Sequence, residues 1–204
     1  MCKLRKGLMI FIVALGFAAS STAAFGAPVD VTYSANGTTG NWALDFSVTN
    51  NLGVDTMYIY SFGAQLAGPS ITGTPTTDWL ISYPDPPFNP SLLGYANGSD
   101  TDYNNIWEDS WMNSPIPNGG TLSGFQAMVS STSAPVSVKW YALAYDGNES
   151  YTGDNFFYSP DFPGYYGFEG TASRSAAAVP EPATALLFGA GLAGLGLLRR
   201  KAKS

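Results

Sequence analysis

Apolar and polar residues alternate through much of this 204-residue chain. In residues 42–49 nearly every second side chain is large and apolar, the pattern of a strand with one buried face. Residues 56–62 and 136–145 also favour strands. Weaker strand signals occupy residues 29–34, 78–83, 121–130 and 155–158. Because Gly, Pro, Asn and Asp separate these segments and no amphipathic helix stands out, the pattern predicts an all-β fold, an antiparallel β-sandwich.

The stretch 84–120 breaks the alternation. It holds six prolines together with many Asn, Asp and Ser residues, so it should be mostly loop. Long ordered loops on a sandwich often carry binding sites. The alternative is a variable connection without a role of its own.

The N-terminus has the three parts of a secretory signal peptide. Three basic residues lead into an apolar run, residues 8–19, and then into small residues. Small side chains at Ala24 and Gly26 permit signal peptidase to cut after Gly26, with a cut after Ala24 as the alternative. An uncleaved membrane helix is the competing interpretation, but the run is short of the roughly 20 residues that span a bilayer. We therefore assign residues 1–26 to a signal peptide and residues 27–178 to one secreted domain.

The C-terminus has an order of its own. Pro180-Glu181-Pro182 precedes an apolar segment, residues 183–198, and a basic cluster follows it. Sixteen helical residues would span roughly 24 Å, against a hydrocarbon core of about 30 Å. The basic cluster marks the cytoplasmic side of the membrane, which leaves the main domain outside. The segment therefore suits a transmembrane sorting intermediate better than a permanent anchor.

These C-terminal residues resemble the PEP-CTERM sorting signal. The resemblance lies in the apolar Gly/Ala/Leu-rich segment and in seven flanking residues, Val179, Pro180, Glu181, Pro182, Arg199, Arg200 and Lys201. It implies that residues 179–204 are processed by an exosortase-type transpeptidase of a Gram-negative bacterium that makes exopolysaccharide. The protein would pass through the inner membrane to the cell surface or extracellular matrix. A simple tail anchor is the alternative.

Composition excludes several kinds of chemistry. The chain has no histidine, and its one cysteine, Cys2, lies in the predicted signal peptide. Disulfides, Cys/His zinc sites, haem ligation and Ser-His or Cys-His catalysis are therefore not expected in the secreted domain.

The charge of the secreted domain differs from that of the whole chain, which is −6. Seven of the nine basic residues lie in the two terminal signals. The secreted domain between these signals therefore has fourteen acidic residues and only two basic ones, Lys139 and Arg174. The resulting charge of about −12 repels nucleic acid and anionic lipid. Neutral glycans, cations and other proteins are the partners that remain.

A calcium site is one candidate in the 84–120 stretch. Oxygen-bearing side chains of this spacing can converge on a hard cation. The candidate ligands are Asp100, Asp102, Asn104, Glu108 and Asp109. The helix-loop-helix calcium pattern itself fails, because Asn105 stands where Gly is needed and Trp111 where Glu is needed. The alternatives are an irregular calcium loop and a solvated acidic loop.

Aromatic residues are the other candidates for binding. Trp107 and Trp111 lie in the same acidic stretch, where exposed rings could stack on sugars and nearby acids could bind hydroxyls. The alternative is burial, which we expect for Trp42 and Trp140.

Catalysis is not expected, since only the abundance of carboxylates suggests a glycosidase pair. The sequence thus predicts a non-enzymatic exported protein of the cell surface or exopolysaccharide matrix. The alternatives are a secreted carbohydrate-binding module and, behind it, a secreted hydrolase.

Overall fold

The computed structural model describes residues 27–147 and 151–175, and these ranges contain strands and connections but no helix. The strands in chain order are β1 (Val29–Thr38), β2 (Asn41–Asn50), β3 (Met57–Ala64), β4 (Ile71–Gly73), β5 (Leu80–Ser82), β6 (Asn105–Glu108), β7 (Thr121–Val129), β8 (Ser137–Asp146), β9 (Phe157–Tyr158) and β10 (Tyr165–Ser173).

The strands form two antiparallel sheets. One has four strands in the order β1-β2-β7-β4, and the other has six in the order β5-β6-β3-β8-β10-β9. The all-β, antiparallel part of the prediction is confirmed. The predicted signal peptide and C-terminal transmembrane helix lie outside the described residues.

The two sheets face each other across one hydrophobic core. The ring of Phe46 on β2 lies 5.6 Å from that of Phe62 on β3, and Phe62 lies 5.2 Å from Phe125 on β7. All three side chains are fully buried. These positions are the inward ones of the alternating pattern, so burial of one face of each strand accounts for the pairing of the sheets.

Strand prediction succeeded where alternation was strong. Residues 42–49, 56–62 and 136–145 largely coincide with β2, β3 and β8, and the weaker segments contain β5, β7, β9 and the first six residues of β1. The pattern did not predict β4, β6 or β10.

Apart from β6, the 84–120 stretch has little regular structure, but its first part is packed against the six-stranded sheet. We call residues 84–104 the cover loop. The Phe88 ring lies 4.4 Å from that of Tyr141 on β8, and the Tyr103 ring lies 4.9 Å from it. Backbone hydrogen bonds in both directions join Phe88 and Tyr103. A second, smaller core thus forms on the outer face of this sheet.

A glycine makes room for this second core. Gly63 on β3 is paired with Tyr141, and a Cβ at residue 63 would lie 2.0 Å from Cε1 of that ring. Any larger residue would push the ring out of place. Gly63 therefore lets the ring of Tyr141 lie flat beneath the cover loop.

Candidate functional site

Two of the predicted calcium ligands lie together. Asp100 and Asp102 each accept a hydrogen bond from the buried side-chain amide of Asn89, at 3.3 and 2.9 Å. The carbonyl oxygen of the same amide accepts from the backbone N–H of Leu92. Both carboxylates therefore help to fix the fold of the cover loop.

The other three predicted ligands point elsewhere. The side-chain amide of Asn104 exchanges hydrogen bonds with the backbone of Leu66, at 3.1 and 2.7 Å. Asp109 is buried, where its carboxylate accepts from the backbone N–H groups of Asn113 and Ser114. Glu108 lies on β6, paired with Ser61.

The five residues do not converge on one point, because backbone groups hold the side chains of Asn104 and Asp109 while the amide of Asn89 holds Asp100 and Asp102. In residues 27–147 and 151–175, no group of three or more acidic residues is arranged to hold a metal ion. Calcium binding by a smaller set, such as Asp100 and Asp102, stays a prediction.

The two candidate tryptophans have opposite environments. Trp107 is buried, its ring stacks on Phe62 at 5.4 Å, and its indole N–H donates to the carbonyl of Gly73. Its proposed contact with sugar is therefore wrong, because β6 turns this side chain into the core. Trp111 follows in a tight turn and is 79% exposed, so it remains available to a ligand.

The tryptophans expected in the core pack there to different extents. Trp140 is buried, whereas Trp42 is half-buried and its indole N–H donates to the carbonyl of Ser131 at 3.2 Å.

The cover loop is held down by a carboxylate that sequence reasoning missed. Glu169 on β10 accepts hydrogen bonds from the backbone N–H of Ser99 at 2.9 Å, from the hydroxyl of Ser99 at 2.5 Å and from the hydroxyl of Tyr103 at 2.7 Å. Lys139 on β8 donates to the hydroxyl of Thr101 at 3.3 Å. Only the pairing of β8 with β10 brings these groups under the loop, so no local pattern could have signalled them.

Three tyrosines beneath and beside the cover loop have hydroxyl pKa values raised well above the ordinary value. Burial raises the pKa of Tyr141 far above its ordinary value near 10. Burial also raises the pKa of Tyr103, and its hydrogen bond to Glu169 adds to the effect. The pKa of Tyr60 is raised mainly by burial as well. These hydroxyls stay protonated in the folded chain at every physiological pH.

An open groove runs beside β10. It consists of two cavities, of about 440 and about 400 Å³, that adjoin at Asn155 and Glu169. The first lies between the N-terminal part of β1 and β10, with Trp140 in its wall. Among the described residues, the second is lined by Asn97, Asn155, Phe156, Phe157 and Glu169. We call the two cavities together the β10 groove.

The groove follows a partly unpaired strand edge. On one side β10 pairs with β8 over its whole length, but on the other it pairs with β9 only at Tyr166 and Gly167. Pairing on this side resumes at Arg174, just after β10, which forms a parallel β-bridge to Tyr33 on β1. Between these points no strand in the described part of the chain is hydrogen-bonded to this edge of β10, although the N-terminal part of β1 lies beside it.

Comparison with known proteins identifies one segment. A family model of the PEP-CTERM protein-sorting motif matches residues 178–201, which include all seven predicted sorting residues. The chain is thus an exported, membrane-transiting protein of the kind found in Gram-negative bacteria, and its motif implies processing by an exosortase. The match covers this C-terminal segment and none of the domain that the structure describes. No curated protein matches the chain.

The matched residues lie beyond those that the structure describes, as do Ala24 and Gly26 at the predicted cleavage site. Among the residues it does describe, there is no helix with the length and apolar character that a membrane crossing needs.

Proposed function

We propose that the mature protein is a non-enzymatic component of the cell surface or exopolysaccharide matrix, delivered there through its sorting motif. The observation that carries this proposal is the match at residues 178–201. The charge of about −12 on the secreted domain supports it, since that charge disfavours nucleic acid and anionic lipid as partners.

Two processing steps would deliver the protein. Signal peptidase removes residues up to Gly26 or Ala24, and the apolar segment 183–198 then holds the chain in the inner membrane. The basic cluster at Arg199 stays on the cytoplasmic side. Because the segment is short and rich in glycine, it holds the chain only marginally until exosortase removes it.

Two carboxylates in the described part of the chain have structural hydrogen-bond partners. In the described ranges, the carboxylate of Asp109 binds two backbone N–H groups, and that of Glu169 binds three donors. A catalytic carboxylate needs access to its substrate, which the buried Asp109 lacks, and the hydrogen bonds of Glu169 hold the cover loop.

Replacement of residues 180–182 by alanine tests the proposal. We expect the precursor to stay in the membrane fraction of the native host, whereas the wild-type surface form should lack residues 1–26 and the basic tail. Cell fractionation and intact-mass measurement give the readout. Ser175→Ala, just before the matched segment, is the control and should be processed normally. Surface protein that still carries residues 199–204 would contradict the proposal.

Carbohydrate binding is the second candidate function. It is favoured by the β10 groove, whose lining combines side-chain amides, a carboxylate and aromatic rings. Sugar-binding sites need this combination, because the aromatic rings contact the apolar faces of sugars and the polar groups bind their hydroxyls. The exposed Trp111 offers a further aromatic contact at another place on the surface.

A further inference from the structure

We propose that the β10 groove binds a neutral polysaccharide, with Asn97 and Asn155 as the principal hydrogen-bonding residues and Glu169 beside them. This inference rests on the carbohydrate-binding candidate above and is independent of the sorting motif.

The two asparagines are free to bind a ligand. Both are exposed, and neither side-chain amide is bonded to another residue in the described parts of the chain. Each amide carries a donor and an acceptor, which matches the dual character of a sugar hydroxyl. Their backbones have φ of 66° and 62°, in the left-handed region that few residues other than glycine and asparagine adopt. The chain therefore places two amides in one groove at positions where most other side chains would be strained.

Glu169 offers an acceptor of fixed position. Three donors from the cover loop hold its carboxylate. An ionised carboxylate has about four acceptor sites, so capacity remains for a ligand hydroxyl. Because the group is already held in place, binding would not have to order it.

Aromatic rings form the apolar part of the second cavity. Phe156 is half-buried and Phe157 is buried, and their rings are held by Tyr166 at 5.4 Å and Tyr95 at 5.4 Å respectively. Fixed in this way, the half-buried ring of Phe156 can receive the C–H face of a sugar without being reordered, whereas Phe157 is too buried to contact a ligand and supports the wall of the cavity.

The charge of the groove selects a neutral ligand. Its lining includes the carboxylates of Asp30 and Glu169, and no Lys or Arg is among the described residues that line either cavity. A polyanion would be repelled there. An extended peptide could pair with the open edge of β10, as in strand addition. However, the amides and carboxylates around the edge suit hydroxyls better than the alternating side chains of a peptide strand.

The test compares binding by the full chain, purified in detergent, with binding by variants. Affinity electrophoresis uses dextran, a β-glucan and a galactomannan as neutral probes, alginate as the anionic comparison and an extended peptide as the strand-addition probe. The double variant Asn97→Gly, Asn155→Gly removes both amides and keeps the backbone conformation, because glycine adopts positive φ freely. Met112→Gly is the matched control, since Met112 has φ of 50° and does not line the groove.

We expect at least one neutral polymer to bind, and the double variant to bind it at least about tenfold more weakly, as the loss of two hydrogen bonds implies. The control should bind like the wild type. Binding that survives in the double variant would overturn the groove site but keep carbohydrate binding, with Trp111 as the next residue to replace. If none of the neutral polymers retards the protein, both the groove site and carbohydrate binding are overturned. Preference for alginate or for the peptide would overturn the ligand class.

Discussion

The outer faces of the two sheets are built differently. On the four-stranded sheet the outward positions carry small hydroxyl groups, which pair across strands: Ser47 with Ser123 at 2.6 Å, and Thr49 with Thr121 at 2.9 Å. On the six-stranded sheet Tyr141 points outward and is buried by the cover loop.

The difference can be traced to the strands themselves. In β2 the outward residues are polar or small, as expected for a face left to water. In β8 large side chains stand on both faces: Trp140 points into the main core, whereas Tyr141 and Leu143 belong to the outer cluster. A strand that is apolar on both faces indicates that both are covered. The cover loop is therefore part of the fold, and three predictions test the contrast between the two faces.

The largest effect should come from Tyr141→Ala. Removal of a fully buried ring leaves a cavity in the outer core and should lower the free energy of unfolding by about 3–5 kcal/mol. Ser47→Ala, at an outward position of the other sheet, should lower it by less than about 1 kcal/mol. Denaturant unfolding of both variants measures the difference. Equal losses would mean that the cover loop contributes no core of its own.

Glu169→Gln should have an intermediate effect. The amide puts an N–H₂ group where an oxygen now accepts a hydrogen bond, so at least one donor of the cover loop loses its acceptor. We expect a loss of about 1–3 kcal/mol and faster amide exchange at Ser99. Asp45→Asn is the matched control on the other sheet, where the carboxylate accepts one hydrogen bond from the backbone of Gly124. If the control loses as much, Glu169 does not hold the loop specifically.

Removal of the Tyr141 hydroxyl should have the smallest effect on stability at neutral pH. The effect should grow as the pH rises above about 10. The folded pKa of this hydroxyl is raised by burial, so its contribution to stability is complete below about pH 10 and declines as the pH rises further, when the unfolded chain ionises first. Above pH 10, each tyrosine of this kind lowers the free energy of unfolding by about 1.4 kcal/mol per pH unit.

Tyr141→Phe should therefore flatten the decline in stability between about pH 10 and 11 and run parallel to the wild type below pH 9. Denaturant unfolding across this pH range gives the readout. An unchanged alkaline slope would show that the hydroxyl ionises without the cover loop opening.

The sequence predicted the strands that show simple alternation and missed β4, β6 and β10, of which β10 is shaped by distant side chains. β10 contains Gly167 and Gly170, which interrupt its pattern. A Cβ at Gly167 would lie 2.0 Å from the ring of Phe157, and one at Gly170 would lie 2.6 Å from the ring of Trp140. These glycines make room for rings from other strands, so their reason is visible only in three dimensions.

The sequence predicted the types of residue that form the candidate site but not where they lie in the fold. The sequence suggested tryptophans and an acidic cluster between residues 100 and 111, because these residue types are dense there. Trp107 and Trp111 are four residues apart and are not distinguishable by composition, yet pairing of β6 with β3 buries the first and frees the second. The β10 groove draws Asn97, Asn155 and Glu169 from three distant segments, and no local spacing joins them.

The position of β8 between β3 and β10 has a consequence for the order in which the protein folds. Pairing β8 with β3 brings Met57 opposite Asp146, and the hydrogen bond from Tyr33 to the carbonyl of Pro135 joins residues 102 positions apart. Contacts of this kind form slowly, because the loop must close before the contact stabilises it. If the chain crosses a membrane from its N-terminus, we expect the early strands to wait for residues 137–173 to emerge. Only the sorting segment would then remain behind, so the domain would complete its folding outside while its tail is still held in the membrane.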